Sequence, residues 1–414
     1  VAVKIARQTS KIAILGAPTS AAALSAGHEN APSALRQAGL IARLTDVGYQ
    51  VSDLGDDPPQ VYKPDDESPR ARNLAGVIKS LEALKPRVEQ AVKSGALPLI
   101  LGGDCSIALA TVAGARRYFR HVSVIYMDRD ADLNTPSTTP SGCVDGMVVA
   151  HLTGRGAAEL VRFWGEPPLV REPDLALFGV DRLDPSEEEF LRRSTLRKFM
   201  ADDIKVMGAA AAARAALDRI HANGYEFILH FDVDAIADFP ATNYPASGGL
   251  TLEEAREALD LFMQQKTLAA VEVTAYNPAK DPDGAWAKRV IDLLAHGFGN
   301  RLSVLQAVAQ AAPESPKEEA SALGVEAPSA QPDTETKAEA PSAPGEESKT
   351  APVAPEEAGS SDSLEQGATK DESSSSADDE HAAAQQGSTG ESAQDEHKGE
   401  ETHAPAEDSG KSSA

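Results

Sequence analysis

The chain has 414 residues, with 39 Lys and Arg against 64 Asp and Glu, a formal net charge of −25 and only two cysteines, Cys105 and Cys143. That balance argues against nucleic-acid phosphate or an anionic membrane surface as a partner, and two cysteines are too few for a disulfide framework. No apolar run approaches membrane-spanning length and no signal-like N-terminus stands out, so a cytoplasmic protein is expected. The acidity is unevenly placed, because residues 311–414 hold 25 acidic and 6 basic residues and no Phe, Tyr or Trp. Such a stretch cannot bury enough apolar surface to offset its ordering entropy. It is therefore expected to be a disordered Ala/Ser/Glu/Pro-rich tail on a single domain over residues 1–310.

In that domain short apolar or β-branched runs alternate with helical patterns, the signature of an α/β domain with a mostly parallel sheet and helices on both faces. In chain order, strands are expected at 11–15, 49–54, 97–101, 122–127, 175–180, 227–231 and 269–273. Helices are expected at 31–47, 71–94, 106–118, 185–193, 207–223, 252–265 and 284–311. Pro98 opens its run, where a strand tolerates proline. Thr251 followed three residues later by Glu254 reads as a capping box.

Ligands of parallel α/β sheets bind beyond the carboxyl ends of the strands, and three of those ends are unusual. Leu97–Leu101 leads into Gly102, Gly103, Asp104, Cys105 and Ser106; the run ending at Met127 leads into Asp128, Arg129, Asp130, Ala131 and Asp132; the run ending at Phe231 leads into Asp232, Val233 and Asp234. In an extended chain, residues two apart share a face, so Asp128, Asp130 and Asp132 can converge, as can Asp232 and Asp234. Arg129 would then turn to the other face and pair with an acid elsewhere. Asp-x-Asp at a strand end also serves as a turn or helix cap, but five ionised carboxylates gathered without a cation would be costly. The cluster points to a hard-cation site.

These segments carry a resemblance. Gly16-Ala17-Pro18, Ala31-Pro32-Ser33-Ala34-Leu35-Arg36, Leu101-Gly102-Gly103-Asp104, Asp128-x-x-x-Asp132-Leu133-Asn134-Thr135-Pro136, Phe231-Asp232-Val233-Asp234, Gly248-Gly249-Leu250 and Val271-Glu272-Val273 before Asn277-Pro278 together resemble the arginase and agmatinase family of ureohydrolases, most closely its arginase branch. The resemblance spans most of residues 10–300. It implies a three-layer arginase-like fold, a homo-oligomer (trimer or hexamer), and two divalent ions, usually manganese, whose bridging hydroxide attacks a guanidinium carbon.

Matched position by position, Asp128, Asp132, Asp232 and Asp234 correspond to the family's metal-binding aspartates, and Glu272 to the glutamate that holds the guanidinium. Asn134 and Ser141 correspond to groups that recognise an amino-acid carboxylate, and Asp184 to the acid that contacts its α-amino group. Three family histidines are replaced, by Cys105, Asp130 and Asp145, the last at the position of the proton shuttle. Cys143 stands where arginases have a carboxylate-contacting Asn. A thiolate suits zinc, iron or cobalt better than manganese, so Cys105 opens the choice of metal.

The expected metal set is Cys105, Asp128, Asp130, Asp132, Asp232 and Asp234, with Asp145 and Glu272 as catalytic residues and Asn134, Ser141, Asp184 and Glu272 as substrate contacts. The expected activity is hydrolysis of a C–N bond in a linear guanidine or amidine, carried on an amino acid. A scaffold that has lost its chemistry and serves binding, regulation or assembly is the alternative, motivated by the missing histidines. The two thiols could jointly hold a soft metal or form a redox pair, or be inert buried cysteines. His151 and His230 read as hydrogen-bonded structural residues or as supports behind the site.

Overall fold

The computed structural model describes residues 10–311; the tail reading lies outside them. Eight strands form one sheet: β1 (Lys11–Ala17), β2 (Gln50–Asp56), β3 (Leu97–Gly102), β4 (Val122–Met127), β5 (Leu175–Val180), β6 (Arg197–Met200), β7 (Glu226–Asp232) and β8 (Leu268–Thr274). Their order is β2-β1-β3-β8-β7-β4-β5-β6, and every pairing is parallel. The inner strands read as continuous apolar runs because both faces are covered.

Alternate residues feed two separate cores. Ile12, Ile14, Leu99, Leu101, Met127, Leu229 and Val273 pack on one face under helices α1 (Ala31–Gln37), α2 (Leu40–Asp46), α9 (Ala209–His221), α10 (Leu252–Met263) and α11 (Ala285–Ala311). Ala13, Leu15, Ile100, Val124 and Ile228 pack on the other under α3 (Leu74–Lys93), α4 (Ile107–Ala115) and α5 (Val148–Leu152). Two further short helices, α6 (Ala158–Val161) and α8 (Ala201–Met207), lie in connections, and α7 (Pro185–Arg193) follows β5. Pro98 lies opposite Ala13 of β1, and on the other side β8 pairs with β3 only from Leu99 onward, so its missing N–H breaks no bond to β8.

The structure corrects several expected elements. Strand β6 was missed: its Arg-Lys-Phe-Met sequence is short, and it sits at a sheet edge, where charged side chains replace the apolar pattern. The helix expected over 31–47 is two, broken where Gly39 takes φ 99°; the one over 207–223 is α9, and a short helix that was not expected, α8, precedes it across Gly208, whose φ is 82°. The Thr251 box is present as expected, with the Glu254 N–H donating to Thr251 Oγ1 at 3.2 Å and the Thr251 N–H to Glu254 Oε2 at 2.8 Å. Since the strands are parallel, the carboxyl ends of the neighbouring β3, β8, β7 and β4 lie side by side at one edge.

Candidate metal centre

The chain leaves β3 through Gly103, where a Cβ would fall 1.7 Å from the Thr19 carbonyl oxygen; only glycine fits that approach. Asp104 then anchors the turn, accepting from the Thr19 hydroxyl at 3.1 Å and the Ala22 N–H at 3.0 Å. Cys105 is thereby aimed at the end of β7. Its Sγ donates to Asp232 Oδ2 at 2.8 Å and lies 3.3 Å from Thr274 Oγ1, and its N–H donates to Asp145 Oδ1 at 2.7 Å.

Beyond β4, Asp128 Oδ1 accepts the Asp130 N–H at 2.8 Å, and beyond β7, Asp232 Oδ1 accepts the Asp234 N–H at 2.7 Å. Both are local turns that Asp makes readily. Asp132 takes φ 52° and accepts the Tyr126 hydroxyl. These turns end the extended conformation, which is why Arg129 does not swing to the far face. It is buried in the cluster, with Nη2 3.4 Å from Asp130 Oδ2 and 3.7 Å from Asp234 Oδ2, a correction to the expected alternation.

Beneath the aspartates a row of side chains crosses three strands. The β4–β7 register sets Tyr126 beside His230, and the β7–β8 register sets His230 beside Glu272. The Tyr126 and His230 rings stack with centroids 4.0 Å apart, and His230 Nδ1 is 2.8 Å from Glu272 Oε1. With a carboxylate acceptor at Nδ1, the N–H belongs there and Nε2 carries the lone pair. Glu272 is fully buried, and it is not among the cavity-lining residues. One of its oxygens, Oε1, meets His230, while Oε2 has no hydrogen-bond partner among the described residues. His230, expected as a structural or supporting residue, joins the donor set: ligand atoms of Cys105, Asp128, His230 and Asp232 all lie within 4.8 Å of one another.

The electrostatics suit a cation. Burial, then the neighbouring carboxylates, push Asp128 well above the ordinary carboxylate range. Burial likewise drives Asp132 and Asp234 upward, with Asp145 adding at the first and Asp232 at the second. Burial and Asp232 push the Cys105 thiol up, while Asp145 is raised to about 8 by burial and then by Asp104. Asp234 Oδ1 is buried with no hydrogen-bond partner among the described residues, while its Oδ2 lies 3.7 Å from Arg129. These donors fit a divalent ion. Asp130 differs: burial raises its pKa, but Arg129 and Arg182 pull it back, and Arg182 grips both its oxygens, Nε to Oδ1 at 2.8 Å and Nη2 to Oδ2 at 2.9 Å.

Above this floor opens a cavity of about 250 Å³. Asn134, Ser141, Cys143, Asp145 and Asp184 all line it. Asn134 Nδ2 donates to Asp184 Oδ2 at 2.7 Å, and Glu187 secures both neighbours by accepting the N–H groups of Leu133 and Asp184, each at 2.9 Å. Tyr244 was not anticipated. Its hydroxyl donates to Asp145 Oδ2 at 2.8 Å while accepting the Leu24 N–H at 2.9 Å; no spacing in the sequence links residues 99 apart. Both cysteines are buried and unpaired.

A parallel α/β sheet carrying such a cluster beyond its central strands defines a class of metal-site α/β proteins, and comparison with known proteins narrows it. The sequence model of the arginase family matches residues 10–298, and the chain belongs to that family. It is 31% identical over 297 residues to an arginase of Bacillus caldovelox, covering 70% of this chain and 99% of that protein. An arginase of Bacillus subtilis is also 31% identical, over 294 residues, covering 70% and 98%. Among solved structures, the native arginase of Bacillus caldovelox superposes with a TM-score of 0.65 at 30% identity, covering 70% of this chain and 98% of that one. The arginase of Bacillus cereus gives 0.63 at 30% identity and the same coverages.

Proposed function

We propose that this protein is a metal-dependent hydrolase of a carbon–nitrogen bond in a linear guanidine or amidine carried on an amino acid. The observation that carries this reading is the convergence of Cys105, Asp128, His230 and Asp232 below a cavity lined by Asn134, Ser141 and Asp184. A divalent ion held by that floor supplies Lewis acidity and lowers the pKa of a neighbouring water. Sulfur and imidazole donors suit zinc, cobalt or iron(II) better than the family's usual manganese. Asn134 and Ser141 bind the substrate carboxylate, and Asp184 its α-ammonium group. Asp145 and the Tyr244 hydroxyl, joined by their hydrogen bond, form the pair to which we assign holding and passing a proton. Glu272 acts through His230, fixing the ring so that Nε2 faces the donor set.

The test is turnover of the full chain reconstituted with zinc, cobalt or manganese on a panel of guanidino and amidino amino acids. Release of urea or ammonia that Asp232→Ala abolishes supports the proposal; protein that binds no divalent ion and releases neither product sinks it. A non-catalytic, ligand-binding role is favoured by one observation, since among the described residues no histidine lines the cavity to carry protons near neutral pH. Binding of such an amino acid to metal-loaded protein without turnover would select that role. The family resemblance also implies a trimer or hexamer, which light scattering on the purified chain would measure.

A further inference from the structure

Two guanidinium groups occupy the outer half of the carboxylate cluster. Arg182 closes a two-point bridge on Asp130, the geometry in which arginine binds a carboxylate best. Arg129, with only 6% of its surface exposed, inserts between Asp130 and Asp234. Asp130 thus has both oxygens engaged by cationic donors, and a second metal ion beside Asp234 would have to share its space with Arg129. The inner half is different. Among the described residues, Cys105, Asp128, His230 and Asp232 are the set of metal-capable groups whose ligand atoms converge within 4.8 Å, and Asp130, Asp132 and Asp234 stand outside it. In that inner set, among the described residues, no guanidinium is paired, and the His230 Nδ1 contact with Glu272 leaves Nε2 with only a long contact, 3.4 Å, to the Thr274 hydroxyl, which a metal ion would displace.

We propose that the site takes one divalent ion, held by Cys105, Asp128, His230 and Asp232, and that Arg129 and Arg182 fill the place of a second. This rests on the metal-centre reading above but changes its stoichiometry from the two ions that the family resemblance implies. A mixed sulfur, nitrogen and oxygen donor set of four is characteristic of zinc-like coordination, so the ion is borderline-soft. The guanidinium charges neutralise Asp130 and Asp234, two carboxylates that this ion does not reach.

Cobalt(II) is the probe. The full chain, stripped with chelator and dialysed against cobalt(II), is assayed by elemental analysis and absorption spectroscopy. The expected result is one cobalt per chain with a near-ultraviolet thiolate-to-cobalt band that disappears in Cys105→Ser. The double variant Arg129→Met/Arg182→Gln is expected to bind two. Two ions in the wild type would overturn the single-ion proposal while leaving the metal-centre reading intact; no ion would remove both. A folded double variant that still binds one ion would overturn the role given to the arginines. If circular dichroism shows the double variant unfolded, Arg182→Gln alone, whose side chain is 63% exposed, is read the same way. An absent thiolate band at one cobalt per chain would take Cys105 out of the ligand set and overturn the assignment.

Discussion

Histidine 151 offers a clean test of how burial shapes this fold, because it sits away from the carboxylate cluster with both ring nitrogens engaged. Its side chain is 1% exposed, Nδ1 lies 2.7 Å from the Met147 carbonyl, and Nε2 accepts the Ala157 N–H at 3.0 Å. The ring must be neutral with its proton on Nδ1, since a proton on Nε2 would face another N–H. Gly156 permits this approach: a Cβ there would meet Nε2 at 2.5 Å, and its φ of 126° suits glycine alone. Burial is the main cause that lowers the His151 pKa from 6.5 to about 4, and each unit of such a shift is about 1.4 kcal/mol.

The folded-state pKa lies below the unfolded one, so the unfolded chain takes up a proton that the folded chain refuses. The stability contribution is therefore complete above about pH 6.5 and is lost as pH falls towards 4, amounting to about 3 kcal/mol. His151→Gln removes that proton-linked term. Urea denaturation followed by circular dichroism is expected to show the wild type ahead of the variant by about 1–3 kcal/mol at pH 7, from the lost hydrogen bonds. The advantage should vanish or reverse by pH 4. A gap that stays constant across this range, or a ring found protonated by NMR at pH 6, would refute the reasoning.

The carboxylate cluster should behave in the opposite sense. Asp145 and its neighbours have raised folded-state pKa values, so metal-free protein should lose stability as pH rises from about 4 towards 8, and denaturation with chelator at pH 5 and pH 8 would show it. Divalent ion at a hundred times its Kd is expected to add about 2.7 kcal/mol, read as a rise in Tm. Arg301→Met should cost about 3 kcal/mol in urea denaturation, because buried Arg301 Nη1 donates to the Met263 carbonyl at 3.0 Å and to that of Gln265, at the end of α10. In an active enzyme, Tyr244→Phe should lower kcat tenfold or more while moving Tm little; unchanged kcat would remove Tyr244 from the proton-holding pair.

The sheet was legible because strands buried on both faces leave uninterrupted apolar runs, as at Val122–Met127. The edge strand Arg197–Met200 was not, since it is four residues long, two of them charged and exposed, and Phe199 is its one buried side chain. Gly39 and Gly208 are visible as letters, but whether a glycine bends a helix or ends it depends on packing around it. At the site, the aspartates could be found from period-two spacing at strand ends. The direction of Arg129 could not, because it depends on the turn that begins at Asp128, and the alliance of Tyr126, His230 and Glu272 depends on the register of three strands far apart in sequence. Arg182 and Tyr244 reach the cavity from loops whose positions only the folded sheet sets.

The contact between Cys105 and Asp232 spans 127 residues, and it has a consequence for when the centre can come into being. The donor set needs β3, β7 and β4 paired, with β8 between β3 and β7 and Glu272 behind His230. Asp128, His230 and Asp232 can meet once β4 and β7 pair, but Cys105 joins them only when β8, which ends at Thr274, has emerged and taken its place between β3 and β7. Closing so long a loop carries an entropy cost that only completed sheet pairing offsets. Completion of the four-donor set is thus a late event in folding, and metal uptake timed against refolding is expected to follow assembly of the central sheet rather than precede it.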